Sequence, residues 1–144
     1  RRKTTKSQEE VDYLLEVAME AKGQKLFEMA LEVYDELLSF HEYSDFLYKE
    51  KLLLLLELGK KEELLATYFV VSDELKAEAF IQYAAFDNAL DLKQTHLALQ
   101  VLTELNRKAP LVKLGVKKVA QQFSEMNNNL AALKVLNDFS EYFR

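Results

Sequence analysis

The chain has 144 residues, 49% of them hydrophobic and 30% charged, with a formal net charge of −5. That acidic balance argues against a general nucleic-acid binder. The absence of cysteine excludes disulfides and thiolate metal sites, and the longest apolar run, Leu52–Leu56, falls far short of the ~20 residues that span a bilayer. With three glycines and one proline there are too few turn residues for a sheet protein, so the expected class is all-α.

In chain order, Arg1 to Ser7 reads as a basic flexible tail or linker. Ser7 followed by Glu10 forms a capping box that starts a helix over 8–22, with Leu14, Val17, Ala18 and Ala21 on its apolar stripe and Gly23 as its expected stop. A second helix, 25–39, carries Leu26, Ala30, Tyr34 and Leu37. A third spans 43–58 and ends at Gly59; a fourth spans 61–72, a fifth 75–92 and a sixth 95–107. Pro110 precedes a seventh at 111–126, and Asn127-Asn128-Asn129 supplies the turn into an eighth at 129–142. His41 and His96 stand far apart without companion ligands, which suits surface or loop positions better than a metal site.

These helices share a period. A step of 34 residues carries Ala30 to Leu64, Ala98 and Ala132, Tyr34 to Tyr68, Leu102 and Leu136, and Leu37 to Val71, Leu105 and Phe139. The same step carries Ala18 to Leu52, Phe86 and Ala120, and Ala21 to Leu55, Ala89 and Phe123. Every one of these positions is apolar, and the phase survives several helix breaks, which unrelated amphipathic helices would not enforce. Alanine dominates the first column, where a small side chain lets two helices approach closely.

The pattern of small, bulky and proline positions resembles the tetratricopeptide repeat over residues 11–144. It departs from the family in lacking the tryptophan of position 4, where Leu14, Tyr48, Gln82 and Val116 stand, and in placing Leu52 and Phe86 at the small position 8. A one-residue rotation of the first helix of the third repeat, bringing in Ala85, would accommodate Phe86. The resemblance implies a single α-α superhelix over 8–144 with eight helices and four helix-turn-helix repeats, at 11–44, 45–78, 79–112 and 113–144. It also implies a concave face lined by the first helix of each repeat.

Transferred onto this sequence, that face contains Asp12, Leu15, Met19 and Lys22, then Phe46, Lys49, Leu53, Leu56 and Glu57. It continues through Phe80, Tyr83, Asp87, Leu90 and Asp91 to Leu114, Lys117, Gln121 and Glu125. The set is apolar enough to suggest a groove for an amphipathic helix or an extended apolar peptide, with Phe46, Leu53, Phe80 and Tyr83 as anchors. The competing reading is that some of these residues pack between neighbouring repeats. The carboxylate clamp of chaperone-tail-binding members is not reproduced, since the matching positions hold Leu15, Met19, Glu50, Phe80 and Ala84, or Lys49, Leu53, Ala84, Leu114 and Lys118.

Residues 11–44 carry 8 acidic and 2 basic side chains, and residues 113–144 carry 3 and 5, so the sequence is electrically lopsided. Phe139, Tyr142 and Phe143 cluster near the C-terminal edge, where either truncation of a longer protein or self-association would account for them. No phosphate loop, nucleophile elbow, HExxH or EF-hand pattern occurs, and adjacent acids such as Glu62-Glu63 diverge on a helix. The expectation is therefore a non-enzymatic scaffold without cofactor or metal, cytoplasmic or at the cytoplasmic face of a membrane, that binds a protein or peptide. Alternatives are a peptide-sensing module of a bacterial regulator and a membrane-tethered assembly factor.

Overall fold

The computed structural model describes residues 7–40, 44–105 and 112–143; the basic tail through Lys6, His41 and Pro110 lie outside them. The described residues form helices and no strand. The chain divides into two compact units, Arg1–Lys76 and Ala77–Arg144.

Unit 1 contains α1 (Gln8–Gly23), α2 (Phe27–Leu38), α3 (Asp45–Leu58), α4 (Lys61–Tyr68) and the short α5 (Asp73–Lys76). Unit 2 contains α6 (Ala79–Asp91), α7 (Thr95–Glu104), α8 (Val112–Glu125) and α9 (Asn129–Asp138), followed by a 3₁₀ turn at Ser140–Phe143. Within each unit successive long helices pack on one another, giving two helical hairpins per unit.

Ser7 caps α1 as its sequence predicts: its hydroxyl accepts from the Glu10 N–H at 3.2 Å, and Glu10 Oε1 accepts from the Ser7 N–H at 3.0 Å. α1 also ends at Gly23 as expected, but that glycine is not the left-handed residue of the turn. That residue is Lys25 (φ 62°). In the other three hairpins the left-handed residue is Gly59 (φ 70°), Lys93 (φ 61°) and Asn127 (φ 61°), each 34 positions from the last. One residue further on, the N–H groups of Leu26, Lys60, Gln94 and Asn128 donate back to the carbonyls of Ala21, Leu55, Ala89 and Phe123 at 2.8–3.0 Å. This is the six-to-one bond of a Schellman turn. All four hairpins turn with it, and all four second helices begin two residues after the left-handed position.

The predicted fourth and fifth helices differ from those observed. α4 stops at Tyr68, after which Val70 and Val71 weaken any continuation, because β-branched side chains lose rotamer freedom in a helix. Ser72 then starts α5: its hydroxyl accepts from the Leu75 N–H at 3.2 Å and donates to Asp45 Oδ1 at 2.8 Å. Lys76 lies over the Tyr68 and Phe69 rings, which meet edge to face. Extended backbone at Glu78 separates α5 from α6, so the single helix expected over 75–92 is two, and the described helices number nine rather than eight.

The core follows the 34-residue columns. Every column residue is buried except Leu136, which is 38% exposed on α9. In the first hairpin of each unit small residues are buried between the helices, Ala18, Ala21 and Ala30 in unit 1 and Ala85, Ala89 and Ala98 in unit 2, all at or near complete burial. Phe86 fits because α8 yields: a Cβ on Gly115 would lie 3.3 Å from Phe86 Cζ and 3.0 Å from Leu102 Cδ1. A glycine inside a helix costs roughly 1 kcal/mol against alanine, and here the missing side chain admits a phenyl ring.

Candidate functional site

In unit 2, helix periodicity puts Tyr83, Asp87, Leu90 and Asp91 on one face of α6, and Leu114, Lys118, Gln121 and Glu125 on one face of α8. The two faces border a groove. Its narrow end, about 120 Å³, has Phe86, Leu105 and Gly115 as its floor, with Tyr83 and Leu114 as apolar walls. Its wider end, about 460 Å³, runs past Leu90 and Asp91 to Gln121 and Glu125. Asp87 and Lys118 line both ends.

Gln122 fixes the back wall. It is buried, its amide nitrogen donates to the Leu90 carbonyl at 2.9 Å, and its amide oxygen accepts from the Thr95 hydroxyl. This ties α8 to the end of α6 and the start of α7 without a formal charge. At the far end of α7, Gln82 donates to the Glu104 carbonyl at 3.2 Å. On the rim, Gln121 donates to Glu125 at 3.2 Å. Three carboxylates, Asp87, Asp91 and Glu125, and one ammonium, Lys118, give the groove a net acidic lining.

In unit 1 a cleft of about 490 Å³ opens beside Leu53, Leu54, Leu56 and Glu57 of α3, with Lys22 of α1 and Phe27 of α2 opposite. Lys22 Nζ reaches Glu50 Oε1 at 2.8 Å, and the same oxygen lies 3.5 Å from the Tyr34 hydroxyl. Burial, followed by the neighbouring Glu50 carboxylate, pushes the Tyr34 phenol up to about 12. A second cluster joins α2, α3 and α4: Lys51 Nζ sits 2.8 Å from Asp35 and 3.7 Å from Glu63.

None of the candidate concave-face residues is buried. Tyr83, Asp87, Leu90 and Gln121 come together in the unit 2 groove, and Leu53 and Leu56 in the unit 1 cleft. Phe46 is exposed on the first turn of α3, Leu15 and Lys49 are half-buried, and Phe80 and Lys117 are exposed, all of them outside both lining sets. Met19 lines a different depression, shared with Tyr13, Leu26 and Met29 on α1 and α2. Lys118 and Gly115 are additions. Lys118 follows Leu114 by four residues and precedes Gln121 by three, so its place on the face was available from spacing; the use of Gly115 was not.

Among the described residues no group of three or more histidine, aspartate or glutamate side chains converges to hold a metal ion. His96 is exposed and meets the Phe123 ring edge on at 5.0 Å. No described helix is long and apolar enough to cross a membrane. No family model, curated protein sequence or solved structure matches the chain.

Proposed function

We propose that the chain is a tetratricopeptide-type interaction module whose four hairpins present helix faces to a peptide or helical segment of a partner protein. The observation that carries this reading is the unit 2 groove, where Tyr83, Leu90 and Leu114 offer apolar contact and Asp87, Asp91 and Glu125 supply negative charge. Such a surface suits a segment with a bulky apolar anchor flanked by basic residues. The recurrence of one turn geometry at 34-residue steps supports the repeat assignment. The α1–α3 cleft of unit 1 offers a second surface of the same kind, with Lys22 and Glu57 at its margin.

The test is a fluorescence-anisotropy screen of synthetic peptides that vary the apolar anchor and the flanking charge. Wild-type protein selects anchors flanked by lysine or arginine. Tyr83→Ala combined with Leu114→Ala lowers affinity roughly tenfold or more while the circular dichroism of the helices is retained. Equal binding by the double variant, or preference for acidic peptides, rejects the groove.

A further inference from the structure

Among the described residues, nothing covers an apolar edge of the first hairpin and one of the last. On the first, Tyr13, Met19, Leu26 and Met29 surround a depression of about 650 Å³, with Glu16 and Glu20 beside them. On the last, Leu130, Leu133 and Leu136 stand exposed along α9. Counterparts 34 residues apart show how unusual this is. Leu133 is 63% exposed, whereas Leu31 and Leu65 are buried and Leu99 is half-buried. Leu136 takes the place of Tyr34, Tyr68 and Leu102, which are fully buried. Tyr13 is 64% exposed where Leu47, Ile81 and Gly115 are buried.

Inside unit 1 the joint between hairpins shows what such an edge normally meets. There α3 packs on α2, and Lys60 Nζ, in the turn after α3, lies 3.5 Å from Glu28 Oε1 on α2. One step of 34 back from Lys60 is Leu26, on the first edge; three steps forward from Glu28 is Leu130, on the last. Both are exposed leucines, at 46% and 83%. Where the internal joint pairs a cation with an anion, the two outer edges present one apolar residue each, so they match one another in type. The blocks that carry them are also of opposite net charge: residues 11–44 have 8 acidic and 2 basic side chains, residues 113–144 have 3 and 5.

We infer that a second copy of this chain docks head to tail, its α1 lying on α9 as α3 lies on α2, with Leu26 of one copy against Leu130 of the other. The contact continues an interface already present within the chain. It is heterologous, joining two different edges of the chain, so the rotation between copies decides whether the assembly closes into a ring or extends.

Sedimentation equilibrium of the intact chain over a wide concentration range tests this. Average mass is expected to rise above that of the single chain as concentration increases. Leu130→Glu and Leu26→Lys, both at exposed positions where folding is little affected, each weaken association roughly tenfold or more. Leu26→Lys together with Leu130→Glu in one chain restores it, by recreating at the outer joint the pair seen between Lys60 and Glu28. A monomer at every concentration, association of Leu130→Glu equal to wild type, or a double variant no better than the singles overturns the joint. None of these substitutions touches the unit 2 groove, so loss of peptide binding and loss of assembly are separable.

Discussion

In unit 1 the residues that fasten one hairpin to the next are charged: Lys22 with Glu50, Lys51 with Asp35, and Lys60 with Glu28. In unit 2 the fastening is neutral, through Thr95, Gln122 and the Leu90 carbonyl, and Gly115 allows a closer approach. The rungs correspond. Leu54 and Phe27 occupy in unit 1 the positions of Gln122 and Thr95, while Ala84 and Lys118 occupy in unit 2 those of Glu50. Apolar contact in one unit is replaced by buried amide bonds in the other, and ionic contact by steric fit. A shared turn and a shared column of small residues thus tolerate quite different chemistry at the joint, provided each buried polar group keeps a partner.

Substitutions that overfill a crossing should show the largest effect, and each hairpin of unit 2 offers one. Ala98→Leu is expected to cost about 3 kcal/mol, since Ala98 is fully buried and its neighbours are in place, and Ala132→Phe is expected to fall in the ~1–3 kcal/mol range. An unchanged melting temperature in either would contradict the crossing. Next in size, Gln122→Leu imports the unit 1 residue into unit 2 and removes two buried hydrogen bonds, leaving the Leu90 carbonyl with the Lys93 N–H and the Thr95 hydroxyl with Met126 Sδ. Chemical denaturation should report a loss of about 2 kcal/mol, and the same substitution made with Thr95→Phe, which also copies unit 1, should recover part of it.

Smaller still is the Lys22–Glu50 pair. With the lysine side chain 41% exposed and the carboxylate 17% exposed, solvent screens it, and a double-mutant cycle should give a coupling of about 0.5–1 kcal/mol that shrinks with added salt. A coupling insensitive to salt would argue that the pair acts through packing instead. A last effect is absent at neutral pH and appears only in alkali. Because the Tyr34 phenol is raised to about 12 in the folded chain, its proton is held after the unfolded phenol, near 10, has lost its own. Its contribution is therefore complete below pH 10 and is lost as pH rises towards 12. Tyr34→Phe should flatten stability between those values, and absorbance at 295 nm should show a late-titrating tyrosine signal in the wild type that this substitution reduces. Unit 2 has Leu102 at that rung, so the alkaline loss should appear in hydrogen exchange from unit 1 alone.

Much of the helical framework was legible because it depends on local pattern. The buried columns, the Ser7 cap and the Gly59 turn all follow from side-chain size and from residues with strong backbone preferences. Lys25 and Lys93 were not legible. A lysine in the left-handed region is disfavoured on its own, by about 1–2 kcal/mol, and the six-to-one backbone bond holds it there. The break between α5 and α6 was hidden for a related reason: Ser72-Asp73-Glu74 is a good helix start, but where that helix ends is decided by the extended Glu78. For the groove, spacing identified the α6 and α8 faces. On α1 the same spacing could not say which flank meets α3, and so Met19 was grouped with Leu53 although it faces the other way. Leu136 was taken for core because its column is core elsewhere; α9 lacks the covering that α2 receives from α3.

The four corners differ in what they demand. Glycine, lysine and asparagine all serve at the left-handed position, yet the bond across it spans the same number of residues each time. A randomised library at residues 25, 59, 93 and 127 should therefore return many amino acids, while a deletion or insertion there should return no folded clone. Such corners behave as spacers cut to a fixed length, indifferent to what they are made of.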